Sequence, residues 1–263
     1  MKNWGVGLFF FLAAGFALAE GPYLTEYVEG HRCLVVAPRN LPPDAPVVLL
    51  LHGYGTNADE MLGISGEFQL PPCLIVLPDG PLPAGRSPFT HAWYDRLTHS
   101  RKDIEHSRDY LCAVMDYFSK QFSAASDSDT PLESPVPAKP EGTGRPVVIM
   151  GFSQGAVMSL EAGVNYKGNI AAVVSMNGYM GEPEKTLAHP AASRKTPILL
   201  VHGTLDPIVQ EEMTQATLQA LRKAGYHPIS KGFYIGHKMT AGTIQAVSEF
   251  LQSVLNHPDG SGT

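Results

Sequence analysis

A serine at the centre of a short glycine-flanked segment has the setting of a catalytic nucleophile. Residues 151–155 read Gly-Phe-Ser-Gln-Gly, and the apolar run 146–150 leads into them as a buried strand would. The small and apolar residues from Ala156 onward are typical of a helix start. A strand, a sharp turn and a helix with a serine at the apex form the G-x-S-x-G nucleophile elbow. Taken alone, the same five residues also fit a glycine-rich turn with an incidental serine.

A serine hydroxyl is a weak nucleophile near neutral pH, so it needs a base within hydrogen-bonding reach and a group that orients the base. Asp206 lies just past the end of one predicted strand, and His237 lies just past the end of the next. The order serine, acid, histidine accompanies this type of elbow. Loops at the carboxyl ends of parallel strands also converge on one crevice. We therefore predict that Ser153, Asp206 and His237 form a catalytic triad, although Asp206 alone could be a turn residue and His237 a neighbour of a helix cap.

Acyl transfer at a serine also produces a negatively charged oxygen, which needs hydrogen-bond donors already in place. One predicted donor is the backbone N–H of Gln154, directly after the nucleophile. The second is expected from the loop after the third strand, where residues 52–57 read His-Gly-Tyr-Gly-Thr-Asn, and we assign it to the N–H of Tyr54. His52 and His202 each precede a glycine at a strand end, and we expect both to support their loops by hydrogen bonds.

Two classes of partner are not expected from composition and spacing. The formal net charge is −6 and no basic patch interleaved with aromatic residues is present, so nucleic acid is not an expected partner. The histidines have no pairing on one element with an accompanying carboxylate, so no zinc or other metal site is expected.

The elements that must position these residues alternate between strands and helices, which predicts an α/β fold with a mostly parallel sheet. Strands are predicted at 24–28, 31–36, 46–51, 73–77, 146–150, 170–176, 197–201 and 229–235. The first two strands flank Glu29 and Gly30 and read as a hairpin. Helices are predicted from residue 58 with Asn57 as the cap, over 104–122, after residue 155, over 209–224 and over 244–254.

The N-terminal segment 1–19 is predicted to be a secretory signal peptide. It has a positively charged start, a nearly uniform apolar stretch and the sequence Ala-Leu-Ala before a predicted cleavage after Ala19. An uncleaved membrane anchor is the alternative, but the apolar stretch is short for a membrane span. We therefore expect a secreted or periplasmic protein without stable membrane insertion after cleavage.

Residues 20–263 are predicted to form a single domain with a flexible insertion at about 123–144. The insertion is rich in Ser, Asp, Pro and Gly and has almost no large apolar residues, so it cannot pack a core. A lid over the site is a less favoured interpretation. Of the three cysteines, each is expected to be a small buried residue, and a Cys33–Cys73 disulfide is the alternative hypothesis.

Four segments together resemble the phospholipase/carboxylesterase family, which includes acyl-protein thioesterases and small bacterial carboxylesterases. These segments are 51–57, 151–155, 202–207 and 236–237. The resemblance covers about 24–255 and implies an α/β-hydrolase fold with an N-terminal antiparallel hairpin, helices on both faces of the sheet and no cofactor. It places the triad on the same three residues, Ser153, Asp206 and His237. The serine at the elbow argues against the neighbouring dienelactone hydrolases, which use cysteine there.

The expected activity is that of a serine carboxylesterase acting on a small-molecule ester, either a short-to-medium acyl ester or a lysophospholipid. Trp93 lies in an aromatic segment that the family places near the acyl site. With Tyr54, Met180 and Ile208 it is expected to line the acyl pocket, although plain packing is the alternative for all four. The predicted export and the long insertion depart from a mostly cytosolic family. They make an exported polyester depolymerase or feruloyl-esterase-like hydrolase an alternative. An acyl thioesterase is a further alternative, which export disfavours because an exported enzyme does not meet cytosolic proteins. A serine peptidase also stays open, while a non-catalytic binding module is disfavoured. The oligomeric state is not indicated.

Overall fold

The structure is a computed structural model that describes residues 23–38, 41–121 and 144–256. The predicted signal peptide, 1–19, lies outside the described residues, as does the insertion at about 123–144 apart from Gly144. The strands are β1 (Tyr23–Val28), β2 (His31–Val36), β3 (Val47–Leu51), β4 (Leu74–Pro78), β5 (Leu82–Pro83), β6 (His91–Ala92), β7 (Val147–Phe152), β8 (Ile170–Met176), β9 (Ile198–Gly203) and β10 (Ile229–Phe233). The helices are α1 (Ala58–Ser65), α2 (Arg101–Asp116), α3 (Gln154–Asn165), α4 (Pro183–Thr186), α5 (Glu211–Lys223) and α6 (Ala241–Asn256), and a π-helical turn (Tyr117–Gln121) follows α2.

Eight of the strands form one sheet in the order β1-β2-β4-β3-β7-β8-β9-β10. β1 and β2 form an antiparallel hairpin, and β2 also pairs antiparallel with β4. The neighbours from β4 to β10 are all parallel. Because parallel strands end at the same edge of a sheet, the loops after β3, β7, β8, β9 and β10 meet there. The predicted mostly parallel sheet with an N-terminal hairpin is confirmed.

Two apolar clusters cover the opposite faces of this sheet. On β3, Val47, Leu49 and Leu51 belong to one cluster, whereas Val48 and Leu50 belong to the other. Helices α2, α3 and α5 pack on the first face, and α1 and α6 pack on the second. Since the central strands are buried on both faces, polar side chains concentrate where the strands end.

The helices of the described residues are short. The longest, α2 and α6, have 16 residues each. None is both long and apolar enough to cross a membrane, which takes about 20 mostly apolar residues.

Helix α5 begins two residues later than predicted. The Asp206 carboxylate accepts hydrogen bonds from the backbone N–H groups of Ile208 and Val209, at 2.8 and 3.0 Å. These bonds hold the segment after β9 in a turn, so the helix begins at Glu211. The same aspartate therefore shapes the loop on which it lies.

The three cysteines are free thiols, and the hypothesised Cys33–Cys73 disulfide is wrong. Cys33 lies in β2 and packs in the first apolar cluster, whereas Cys73 precedes β4 and packs in the second. The sheet therefore separates the two sulfur atoms. Burial raises the pKa of both thiols to about 12 and that of Cys112 to about 11, so all three are protonated at neutral pH.

Candidate active site

Ser153 occupies a strained turn between β7 and α3. Its φ is +55° and its ψ is −118°, a backbone conformation that residues with a side chain rarely adopt. The flanking glycines are required by close contacts. A Cβ atom on Gly151 would lie 2.4 Å from the carbonyl oxygen of Gly155, and one on Gly155 would lie 2.5 Å from that of His52. The elbow therefore holds the serine at the carboxyl edge of the sheet with its helix packed tightly against β3.

Ser153, His237 and Asp206 form a continuous chain of hydrogen bonds. Ser153 Oγ lies 2.8 Å from His237 Nε2, and His237 Nδ1 lies 2.7 Å from Asp206 Oδ2. Because an ionised carboxylate only accepts, Nδ1 carries the ring proton, and Nε2 of the neutral ring can accept from the serine hydroxyl. The structure thus brings together the three predicted triad residues, with the histidine in the tautomer that a general base needs.

The loops after β9 and β10 are tied to each other. The backbone N–H of Leu205 donates to the carbonyl oxygen of Ile235 at 3.0 Å. A Cβ atom on Gly203 would lie only 2.4 Å from the same carbonyl oxygen, so the two loops run in close contact. This parallel arrangement continues beyond the strand ends and sets the distance between Asp206 and His237.

The Asp206 side chain is fully buried and its two oxygens accept four hydrogen bonds. Oδ2 accepts from Asn177 Nδ2 at 2.6 Å as well as from His237, and Oδ1 accepts from the backbone of Ile208 and Val209. Burial alone would raise the pKa of this carboxyl group. The bonds from Asn177, from His237 and from the two backbone groups outweigh burial and lower the pKa below its usual value. The carboxylate is therefore ionised at neutral pH.

Asn177 is a site residue that the sequence does not reveal, because Asn-Gly after a strand is also typical of a turn. It directly follows β8, is buried, and has a φ of +55°, which asparagine tolerates better than most residues. Asn177 lies next to Asp206, and its side-chain amide donates a hydrogen bond to the aspartate. The sequence signal that could identify Asn177 is a polar residue that tolerates a left-handed backbone conformation and directly follows a central strand.

The two predicted oxyanion donors lie beside the nucleophile. Gln154 is the first residue of α3, so its N–H has no acceptor within the helix. The loop that carries Tyr54 runs against Ser153, because a Cβ atom on Gly53 would lie 3.5 Å from the serine Cβ. Among the described residues, neither the Tyr54 nor the Gln154 N–H donates to a protein acceptor. Two free donors in this position are suited to a developing negative oxygen.

His52 holds the loop after β3 in place. Its Nδ1–H donates to the carbonyl oxygen of Gly53 at 2.7 Å, and its Nε2 accepts from the N–H of Gly80 at 2.9 Å. Burial lowers the pKa of the ring to about 4, so it is neutral and can accept at Nε2. The predicted loop support by His52 is confirmed. His202 makes a weaker contact, with its Nδ1 3.5 Å from Ser230 Oγ.

The Gln154 side chain joins the elbow to the aromatic segment before α2. Its Oε1 accepts from the backbone N–H of Trp93 at 2.8 Å, and its Nε2 donates to the carbonyl oxygen of Tyr94 at 2.7 Å. All three residues are buried. The Gln154 side chain therefore links the elbow to residues 93–94 by hydrogen bonds, while its backbone N–H remains free.

The expected substrate-lining residues differ in exposure. Trp93 is completely buried and its Nε1–H donates to the carbonyl oxygen of His52, so it supports the loop after β3 and presents no surface to a ligand. Met180 is also buried, with 4% exposed, and its backbone N–H donates to Thr217. Ile208 is 64% exposed beside Asp206 and can contact a substrate. The prediction for Trp93 is therefore corrected, since a satisfied indole N–H belongs to the core.

No group of three His, Cys, Asp or Glu side chains with the arrangement of a metal site occurs within 23–38, 41–121 and 144–256. The chemistry that this site can perform with its own groups is nucleophilic attack by a serine assisted by a histidine.

An eight-stranded, mostly parallel sheet with a serine elbow after β7 and a histidine after the last strand defines an α/β-hydrolase. The comparison with protein families agrees and is more specific. The chain belongs to the phospholipase/carboxylesterase family, whose model matches residues 31–255. Membership supports a hydrolase activity of the esterase or thioesterase type.

Two relatives are similar over most of their length. Acyl-protein thioesterase 1 of Neurospora crassa is 23% identical over 219 residues, which cover 78% of this chain and 84% of that protein. Esterase YpfH of Escherichia coli is 28% identical over 193 residues, covering 70% of this chain and 72% of the esterase.

Solved structures show the same fold at low identity. Esterase PE8 has a TM-score of 0.65 at 24% identity and covers 84% of this chain and 97% of its own. Acyl-protein thioesterase 2 of Zea mays also has a TM-score of 0.65, at 20% identity, covering 85% of this chain and 99% of its own.

Proposed function

We propose that the protein is a serine carboxylesterase that hydrolyses carboxylic esters through an acyl-enzyme. The observation that carries this proposal is the hydrogen-bonded chain from Asp206 through His237 to Ser153. A binding module without catalytic activity would not need a strained serine hydrogen-bonded to an imidazole that a buried carboxylate orients. Family membership supports the same chemistry, because the named relatives are esterases and thioesterases.

In the first half-reaction, Ser153 Oγ attacks the ester carbonyl carbon while His237 Nε2 takes the hydroxyl proton. The carbonyl oxygen becomes negative and is held by the backbone N–H groups of Tyr54 and Gln154. When the tetrahedral intermediate collapses, the proton on Nε2 passes to the leaving alcohol oxygen. Asp206 stays ionised throughout and stabilises the imidazolium that forms for the lifetime of the intermediate.

In the second half-reaction, water takes the place of the departed alcohol. His237 Nε2 accepts a proton from this water, whose oxygen attacks the acyl carbon of the Ser153 ester. The same two backbone donors hold the second tetrahedral oxyanion. Collapse returns the proton to Ser153 Oγ and releases the carboxylic acid.

Exposed apolar side chains on the loops that carry the site favour an ester with an apolar acyl group. Tyr54 follows β3, Leu205 and Ile208 follow β9, and Tyr234 follows β10, so all four lie on loops at the carboxyl edge of the sheet. Each is exposed, Tyr234 most of all at 84%. Apolar residues gathered at the entrance of a site are typical of contact with an apolar ligand. We propose that the acyl chain lies along these residues.

The leaving group is proposed to be an alcohol. The thioesterase names among the relatives make an acyl thioester the second candidate, because the same attack and the same oxyanion donors serve both. A thiolate leaves without prior protonation more readily than an alkoxide, so the ester reaction depends more on His237 as an acid. An exported polyester depolymerase or feruloyl-esterase-like hydrolase is the further alternative.

Residues 1–19 are proposed to be removed on export, which gives a secreted or periplasmic enzyme. The charged start, the apolar stretch and the small residues before Ala19 support this proposal. Full-length protein expressed in an export-competent bacterium should have Glu20 as its N-terminus and be found outside the cytoplasm. An intact N-terminus in the membrane fraction would instead favour an uncleaved anchor.

The activity is tested with nitrophenyl esters of graded acyl length, acyl thioesters and aminoacyl amides, using the wild type and Ser153→Ala. We expect the wild type to hydrolyse esters with an initial burst of nitrophenol, because the acyl-enzyme forms before it is hydrolysed. Ser153→Ala should lose the burst and at least about a thousandfold in kcat. Equal rates for the two proteins would contradict the proposal, and faster turnover of thioesters than of matched esters would favour the second candidate.

A further inference from the structure

A cavity of about 540 Å³ lies beside α3, away from the serine itself. Its walls come from the start of α2 and the segment before it, from α3, and from residues 179–182 after β8. Its volume falls within the range of about 300–1,000 Å³ that is typical of ligand sites. The cavity therefore has room for a ligand group of moderate size.

Glu161 gives this cavity an acceptor that the protein does not satisfy. Its side chain is 2% exposed, and its Oε1 accepts from Arg101 Nη1 at 2.9 Å and from the hydroxyl of Thr186. Its Oε2 is buried and has no hydrogen-bond partner. Since buried polar atoms are normally hydrogen-bonded, the unpartnered oxygen of this cavity-lining residue indicates a missing donor.

The same wall offers donors. Arg101 uses its Nη1 for Glu161 and its Nε for Glu105 at 3.0 Å, which leaves Nη2 without a partner among the described residues. The phenol groups of Tyr94 and Tyr179 also line the cavity, and neither hydroxyl bonds to a described residue. Burial raises the pKa of both phenols, so they remain neutral and can donate.

The charges of the wall select against an ionic ligand. A cation placed against Glu161 would also face the Arg101 guanidinium, and an anion placed against Arg101 would face Glu161 and Glu182. A hydroxyl group both donates and accepts, so a neutral ligand with several hydroxyls can satisfy the carboxylate and the guanidinium together. The tyrosine rings add apolar surface for the carbon skeleton between the hydroxyls.

The cavity is placed to receive part of a substrate that reacts at Ser153. Ser153, Val157 and Glu161 follow each other at intervals of four residues along one side of α3, and Val157 lines the cavity. At 1.5 Å per residue, Val157 and Glu161 lie about 6 and 12 Å along the helix from the serine. Helical side chains tilt toward the N-terminus of their helix, so both lean toward Ser153.

We propose that this cavity binds the alcohol part of the ester and that this part is a neutral polyhydroxylated group, such as a glycerol or a sugar ring. The proposal rests on the proposed esterase function and adds the class of alcohol. The acyl chain would lie on the apolar loops at the sheet edge, and the hydroxyls of the alcohol would reach Glu161 and Arg101.

The test compares two acetate esters of similar size, methyl glucoside acetylated at its primary hydroxyl and cyclohexylmethyl acetate. We expect the wild type to have a kcat/KM at least about tenfold higher for the sugar ester, since a hydrogen bond to a charged group contributes that much or more. Glu161→Gln keeps the shape and one acceptor but removes the charge, and it should cut this preference by about tenfold. The readout is the ratio of the two kcat/KM values within each protein, so a general loss of activity in the variant does not alter it.

Tyr179→Phe is the second variant and keeps the inference testable if Glu161→Gln does not fold. It removes one hydroxyl that has no partner among the described residues and leaves the packing of the ring intact. It should cut the sugar preference by about twofold to tenfold, chiefly through KM. Tyr27→Phe is the matched control, since Tyr27 is exposed on β1 at the far end of the sheet, and it should leave the preference unchanged.

Equal kcat/KM for the two esters in the wild type would overturn the inference. A preference that persists in both variants would overturn it as well. These results differ from a failure of the proposed function, in which neither acetate would be hydrolysed and Ser153→Ala would match the wild type on every ester.

Discussion

The Asn177 amide donates a 2.6 Å hydrogen bond to Oδ2 of Asp206, the same oxygen that accepts from His237. Asn177 therefore fixes the carboxylate on which the histidine depends, although it touches neither the serine nor the histidine ring by a hydrogen bond. Its place directly after β8 puts it between the nucleophile loop and the acid loop. It is a positioning residue, and its removal should act through the histidine.

Replacing Asn177 with aspartate should remove the donor and place a second negative charge against Asp206. The added charge favours the imidazolium form of His237, so the acid limb of the pH profile of kcat should move to higher pH. We expect kcat to fall by about tenfold to a hundredfold. Asn177→Gly is the matched control, because it tolerates the φ of +55° and loses the bond without adding charge. It should lower kcat without that pH shift, and identical pH profiles for the two variants would contradict the assigned role.

The Gln154 side chain should contribute to stability as well as to the site. Gln154→Leu leaves the buried N–H of Trp93 and the buried carbonyl of Tyr94 without partners, and each unsatisfied group costs about 1–3 kcal/mol. The free energy of unfolding, measured in urea, should therefore fall by about 3 kcal/mol. Gln245→Leu on the exposed face of α6 is the control and should change it by less than about 0.5 kcal/mol. Equal losses of unfolding free energy in Gln154→Leu and Gln245→Leu would contradict a stabilising role of the Gln154 side chain.

His52 should make the protein lose stability as the pH falls. Burial lowers the pKa of His52 to about 4, below the usual value of 6.5. Between these two pH values the His52 ring is protonated in the unfolded chain but neutral in the folded protein. The stability from the neutral ring is thus present above pH 6.5 and is lost as the pH falls toward 4. The loss is about 3 kcal/mol. The difference in unfolding free energy between the wild type and His52→Asn should narrow over this range, whereas exposed His227→Asn should track the wild type at every pH.

Much of the fold and the grouping of Ser153, Asp206 and His237 could be predicted from the sequence, for a simple physical reason. A parallel strand covered on both faces is a short, uninterrupted apolar run, and its carboxyl end shares an edge with those of its neighbours. The polar residue that follows each run is therefore placed by the strand alone. The hairpin was predictable from a different signal, the turn residues Glu29 and Gly30 between two short strands.

The features that sequence could not predict depend on contacts between distant segments. The indole of Trp93 is satisfied by the carbonyl oxygen of His52, 41 residues away, so an aromatic residue expected at the substrate is part of the core. Cys73 precedes β4 by one residue and faces the side of the sheet opposite to Cys33. A shift of one residue at a strand end reverses the facing of a side chain, and the sequence does not fix strand ends that closely.

The strained backbone of Ser153 leads to a prediction about stability that is separate from catalysis. Its φ of +55° with ψ of −118° costs about 1–3 kcal/mol for a residue with a Cβ atom. Ser153→Gly relieves this strain but gives the unfolded chain more freedom, which costs about 0.4–1 kcal/mol. Ser153→Ala loses the same hydroxyl and keeps the strain. Both variants should be inactive, yet the free energy of unfolding of Ser153→Gly should be about 1 kcal/mol higher than that of Ser153→Ala.

Ser193 provides the control, because it is exposed and has no positive φ. At this position the order should reverse, with the glycine variant less stable than the alanine variant. The same order at both positions would show that the elbow is unstrained and that the serine is held at the sheet edge by its hydrogen bonds alone.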